Sequence, residues 1–179
     1  MVYRYVYEML VVIVLRKVAH LTKEEFGAAV DPQSTCYAHA NNIIAILWNY
    51  RAMYTIRYES WAIQACSVVV FSIIFNLEKN TILHDSIEKA CQILFEISQA
   101  YPIASDFLFG IRAMVQKHCI RVSKTAKKYL YSVDRPPQTE LTEEWRAPII
   151  LAKDEGVRGG MADVSLGELI EGFDGLDVS

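Results

Sequence analysis

Glycine and proline are scarce along the first 133 residues, where Gly27, Gly110, Pro32 and Pro102 are the only examples. Six of the eight glycines and three of the five prolines lie beyond them. Alternating apolar and polar runs of strand length are missing, as is any repeat of fixed period, so neither a sheet nor a solenoid is indicated. The short motifs that announce a reaction are missing too: there is no GxGxxG, P-loop, HExxH or GxSxG. The one close glycine cluster, Gly156, Gly159 and Gly160, follows no strand pattern and reads as a linker rather than a phosphate loop. Dense Lys/Arg runs are absent; the nearest, Lys124, Lys127 and Lys128, sits near a helix end, where cations suit the macrodipole. The chain therefore carries no nucleic-acid footprint.

Cysteine is sparse as well. Cys36, Cys66, Cys91 and Cys119 are separated by 30, 25 and 28 positions, which fits neither a CxxC zinc site nor a disulfide scaffold. Each falls in an apolar helical pattern and reads as a small buried hydrophobe. Cys36 and His39 share a helical face, and His118 abuts Cys119, but zinc needs four convergent ligands. Neighbouring helical residues point about 100 degrees apart, so 118 and 119 cannot serve one site. His20 and His84, near helix boundaries, read as surface or capping residues, and Glu24 and Glu25 as solvated connector residues.

What is present is apolar mass and a divided charge. Hydrophobic residues make up 53% of 179 positions, and the mean hydropathy is +0.17. Residues 1–133 hold 14 Lys/Arg against 10 Asp/Glu, and 134–179 hold 4 against 11, so a +4 body precedes a −7 tail within a net charge of −3.

Helical periodicity organises the body. Tyr3, Tyr7, Leu10, Val11, Val14 and Val18 line one face of a first helix over 2–19. No capping residue precedes it, and a missing upstream portion is expected. Thr22–Pro32 reads as a connector. A second helix, capped by Ser34 or Thr35, carries Cys36, Ala40, Ile43, Ile44 and Leu47 to Tyr50 or Arg51. The third, Glu59–Asn76, is apolar nearly all round and belongs at the centre. The fourth, capped by Asp85 or Ser86, carries Ile87, Ala90, Cys91, Leu94, Ile97 and Tyr101 until Pro102 stops it. Proline suits the first position of a new helix, here bearing Ile103, Phe107, Ile111, Met114, Val115, Cys119 and Val122 and fading near Tyr131. Two helices across so short a joint pack side by side. The expected fold is an all-α, irregular bundle of about five helices over 1–133, followed by a disordered acidic tail over 134–179. In that tail Leu166, Leu169, Ile170, Phe173 and Leu176 lie among Asp163, Glu168, Glu171, Asp174 and Asp177, the mixture of activation segments and a candidate interaction site, with a solvated tail that binds no partner as the equal alternative.

Two stretches raise membrane readings. Met9–Leu15 follows Arg4 as a short apolar run, but Glu8 sits at its front and Arg16 and Lys17 stand where a small-residue cleavage site should come, so it reads as an amphipathic helix in preference to a signal peptide. Ser60–Leu77 has eighteen uncharged residues but is diluted by Gln64, Ser67, Ser72 and Asn76, and reads as a core helix in preference to a span.

A Cys-led helix (Cys36, with Ala38, Ala40, Ile43 and Ile44), an apolar helix, and then Cys91-x-x-Leu94-x-x-x-Ser98-x-x-x-Pro102-x-Ala104 together resemble the fungal-specific transcription factor domain. That domain is the helical regulatory region downstream of the zinc binuclear cluster in fungal regulators. Tyr3–Arg16 echoes the family's first helix, with Lys17 where the family has proline. The resemblance spans about residues 3–130 and implies a nuclear, non-enzymatic role in transcription regulation as a C-terminal fragment of the regulatory domain. The six-cysteine cluster that would bind DNA is not in this chain, so zinc is implied only in a missing upstream domain and no cofactor within the chain. Implied partners are the remainder of the regulator, other proteins or a second copy, with no direct nucleic-acid contact and no membrane. Two alternatives stand beside it: a helical membrane-associated protein, and a small all-α enzyme or metal protein built around Cys36 and His39.

Overall fold

A computed structural model describes residues 2–27 and 29–133. They form seven α-helices and no strand: α1 (Val2–Val18), α2 (Lys23–Phe26), α3 (Pro32–Met53), α4 (Trp61–Ile73), α5 (Ile82–Ser98), α6 (Pro102–Lys117) and α7 (Lys124–Leu130). A 3-10 segment, Ile74–Lys79, extends α4. The all-α expectation is met; the count of about five is not, and each discrepancy has a local cause.

The supposed connector contains α2, because Thr22 and Glu25 form a capping box. Thr22 Oγ1 accepts from the Glu25 amide, and the Glu25 carboxylate accepts from the Thr22 amide at 2.8 Å. The Thr22 amide and hydroxyl both donate to the Glu25 carboxylate and favour its ionised form, so the acid of Glu25 is held below its ordinary range. Gly27 ends this single turn at φ 68°, a left-handed conformation that suits glycine. Asp31, rather than Ser34 or Thr35, caps α3: its carboxylate accepts the Ser34 amide at 2.7 Å, with Pro32 at the first helical position. The next start also lies earlier than expected, at Ile82, whose amide donates to Asn80 Oδ1 at 3.1 Å.

The last helix is not continuous to Tyr131. It stops at Lys117, where Cys119 takes φ 52° and two carbonyls are recovered, Cys119 N–H donating to Gln116 O and Ile120 N–H to Val115 O. That is a Schellman stop built on a cysteine in the place glycine usually takes. Ser123 then caps α7 through the Ala126 amide.

Helix α4 occupies the centre, touching α1, α3, α5 and α6, and buries eight of its thirteen residues. Ser67 and Ser72, the polar residues that diluted it, turn their hydroxyls back onto the carbonyls of Ile63 and Val68. Trp61–Glu78 is apolar enough to cross a membrane by length and composition, with just over half of it covered by its neighbours. Across the proline joint, Cys91, Leu94 and Ile97 of α5 and Phe107 and Ile111 of α6 all lie in the same core cluster, with Ile103 packed at its edge. Pro102 begins α6 as its first helical residue.

Candidate functional site

The surface that stands out is set by how α1 is seated. Glu8, 5% exposed, points at α3, where its Oε2 lies 2.5 Å from His39 Nδ1 and accepts from Asn42 Nδ2 at 3.3 Å. Met9 and Val12 enter the core beside it. Nearer the N-terminus Tyr5 stacks on Trp61 at 4.5 Å between ring centroids, Trp61 meets Tyr50 edge-on, and Tyr54 tilts against Tyr50. The Glu59 carboxylate ties this corner together, accepting Tyr50 O–H and Trp61 Nε1–H, each at 2.6 Å. The bond to Glu59 is the main reason that the Tyr50 phenol is held above its ordinary range; burial does the same for Tyr5.

These contacts fix the rotation of α1 about its own axis, since turning it by one residue would leave the Glu8 carboxylate without its imidazole and amide. The consequence is that Tyr7, Leu10 and Val14, on the apolar face that helical spacing picks out, are turned to solvent at 61%, 54% and 63% exposure. From residue 4 to residue 18 the exposed positions are Arg4, Tyr7, Leu10, Val14 and Lys17, at spacings of three, three, four and three. They form one continuous helical stripe, apolar in the middle and cationic at each end.

The residues singled out for chemistry are distributed otherwise. Cys36 and His39 both face α1 but reach different groups: the Cys36 thiol lies 3.9 Å from the Val12 carbonyl oxygen, and His39 meets Glu8. Among the described residues, no three or more His, Cys, Asp or Glu side chains are grouped to hold a metal ion. Burial pushes the Cys36 thiol up to about 11 and that of Cys91 to about 12, and raises Cys66 further still. Such thiols hold their protons and act as packing groups. Cys119 is the exception to the buried expectation, exposed at the stop of α6. His118 turns its ring edge-on to Phe75 at 5.3 Å, on a different line from its neighbour. The tail candidates Leu166, Leu169, Ile170, Phe173 and Leu176 lie outside the described residues.

No family model, curated protein or solved structure matches this chain.

Proposed function

We propose that the chain is a helical regulatory module of a transcription regulator, working in the nucleus through protein contacts rather than through a reaction or direct DNA binding. The observation that carries the reading is the outer face of α1. Three large apolar side chains in line on a solvated helix are a docking stripe in the spacing that helix-recognising partners use. The resemblance of the Cys91–Ala104 joint to the fungal regulatory domain supplies the finer assignment to transcription, and the apolar, inert surroundings of the three buried cysteines suit a packing role. The partner is the remainder of the regulator, another protein or a second copy.

The test is a tethering assay. The full chain fused to an unrelated DNA-binding domain should change reporter output, and Leu10→Lys should abolish the change while leaving the helical circular dichroism intact. An unaltered reporter with the folded fusion on the promoter overturns the reading. A second reading, a helical membrane-associated protein, is favoured by the apolar Trp61–Glu78 stretch. Recovery from cells in detergent alone, with protease protection of residues 61–78, would establish it in place of the first.

A further inference from the structure

Charge is unevenly placed in the body. Residues 1–106 hold 8 Lys/Arg against 10 Asp/Glu, and 107–133 hold 6 against none, so the positive excess belongs to α6, the connection after it and α7. The fold draws these cations onto one end of the molecule. Lys124, Lys127, Lys128 and the C-cap Tyr131 follow i, i+3, i+4, i+7 and share one side of α7. Tyr131 carries that side onto α6: its hydroxyl accepts from Gln116 Nε2 at 3.2 Å, and the Arg112 guanidinium lies over its ring at 5.5 Å. Lys117 ends α6 and Arg121 stands in the connection, both exposed, as are the three lysines of α7. Among the described residues, Lys117, Arg121, Lys124 and Lys127 take part in no ion pair.

Local helix electrostatics do not account for this surface. Lys124 is the first residue of α7, behind the N-cap Ser123, at the end where the macrodipole disfavours a cation. Lys124 also repels Lys127 and Lys128, one turn along the same side. Such a face repels itself and attracts a partner that carries several negative charges in a row.

The chain supplies one. Residues 134–158 hold 4 Lys/Arg against 6 Asp/Glu, whereas 159–179 hold Asp163, Glu168, Glu171, Asp174 and Asp177 and no Lys or Arg. The tail leaves the body at the surface itself, since Tyr131 belongs to it and Asp134 is three residues on. Thirty steps from Val133 to Asp163 give a contour of about 100 Å, several times the radius of gyration of roughly 14 Å for a body of this size. Tethering holds the segment at an effective concentration on the order of 1 mM, which a free polyanion has to outcompete. A contact made through summed charge asks for no particular backbone form in the segment.

We infer that residues 163–177 rest against the cationic side of α6 and α7 in the same chain, their five carboxylates opposite Arg112, Lys117, Arg121, Lys124, Lys127 and Lys128. The contact shields that side from other polyanions. It stands or falls independently of any role in transcription, because it concerns only two parts of one chain.

A photo-crosslinking amino acid at Thr125, exposed among the lysines of α7, reads the contact in the full chain. Irradiation of dilute protein should give a product of monomer mass whose crosslinked peptide maps within 163–177. Raising salt from about 0.05 M to about 0.5 M should lower the yield several-fold, because exposed charges are then screened beyond about 4 Å. Neutralising the segment at nearly constant shape, by Asp163→Asn, Glu168→Gln, Glu171→Gln, Asp174→Asn and Asp177→Asn together, should lower it about tenfold and leaves every helix residue untouched. Lys117→Glu with Lys124→Glu and Lys127→Glu should do the same at unchanged helical circular dichroism. A yield indifferent to salt and to both sets of substitutions overturns the proposal, because charge is then not what holds the segment. A product of dimer mass overturns it in favour of a second copy's tail. Crosslinking only to an added DNA duplex overturns it in favour of nucleic acid, and a monomer without any 163–177 adduct overturns it outright.

Discussion

At the scale of single residues, burial rather than proximity to a charged partner governs the chemistry of the three core thiols. Cys36, Cys66 and Cys91 are walled off by apolar neighbours, and desolvation disfavours the thiolate that any reaction would need. With Cys36 raised to about 11, only about one thiol in a thousand is ionised near pH 8. Cys119 has no such cover. A thiol-disulfide reagent near pH 8 should therefore titrate one cysteine quickly, at Cys119, and the other three only in denaturant. Two fast thiols in the folded chain, or persistence of the fast phase in Cys119→Ser, would contradict this burial. The sequence pattern placed all four cysteines alike because helical periodicity continues in register through Cys119. It gave no sign that the backbone would leave the helix at His118 and turn the thiol outward.

At the scale of elements, the ends of helices were the least readable part. Asp31 and Pro32 close the stretch that reads as a connector, yet Asp31 is the N-cap of α3 and Pro32 its first helical residue. Acceptance of the Ser34 amide, backed by the Ser34 hydroxyl, lowers the Asp31 acid below its ordinary range. A depressed carboxylate adds stability above its unfolded value, near 4, and loses it as pH falls through the lower folded value. Asp31→Ala should therefore be less stable than the native chain at neutral pH, and the gap in urea midpoint should close in acid. A gap constant down to about pH 2 would show that the ionised carboxylate is not what caps α3. The proline joint was more legible. Pro102 can only begin a helix cleanly, and Cys91, Leu94 and Ile97 carried the matching apolar spacing, so the α5–α6 hairpin followed from local rules.

At the scale of the whole molecule, one core draws on every helix longer than a single turn, with α4 in its middle. A residue's cost of truncation should then follow its place in that core and not its hydrophobicity. Leu94, fully buried, should cost about 2–5 kcal/mol when replaced by alanine. Val14→Ala, on the open stripe, should cost under about 1 kcal/mol in the same urea titration. Comparable losses at the two sites would mean that α1 is seated with its other face inward. Outside the core, α3 and α5 are clamped by a two-pronged pair, Arg51 to Glu96 at 2.6–2.9 Å, with Arg51 also lying over Trp48. The Arg51–Glu96 pair joins residues 45 positions apart in sequence and was not visible in it.

Apolar periodicity, Pro102 and the near absence of glycine were enough to determine that the described residues build helices, which of them is central, and that two of them meet at a proline. Those properties are local, set by backbone sterics and by spacing along one helix. Which side of α1 faces the core was decided only by the tertiary structure. α1 is apolar on more than one face, so periodicity alone could not choose between them. The choice was made by Glu8, which needs His39 and Asn42 on another helix to be buried at all, and with Glu8 turned inward Tyr7, Leu10 and Val14 are left for solvent and for whatever docks there.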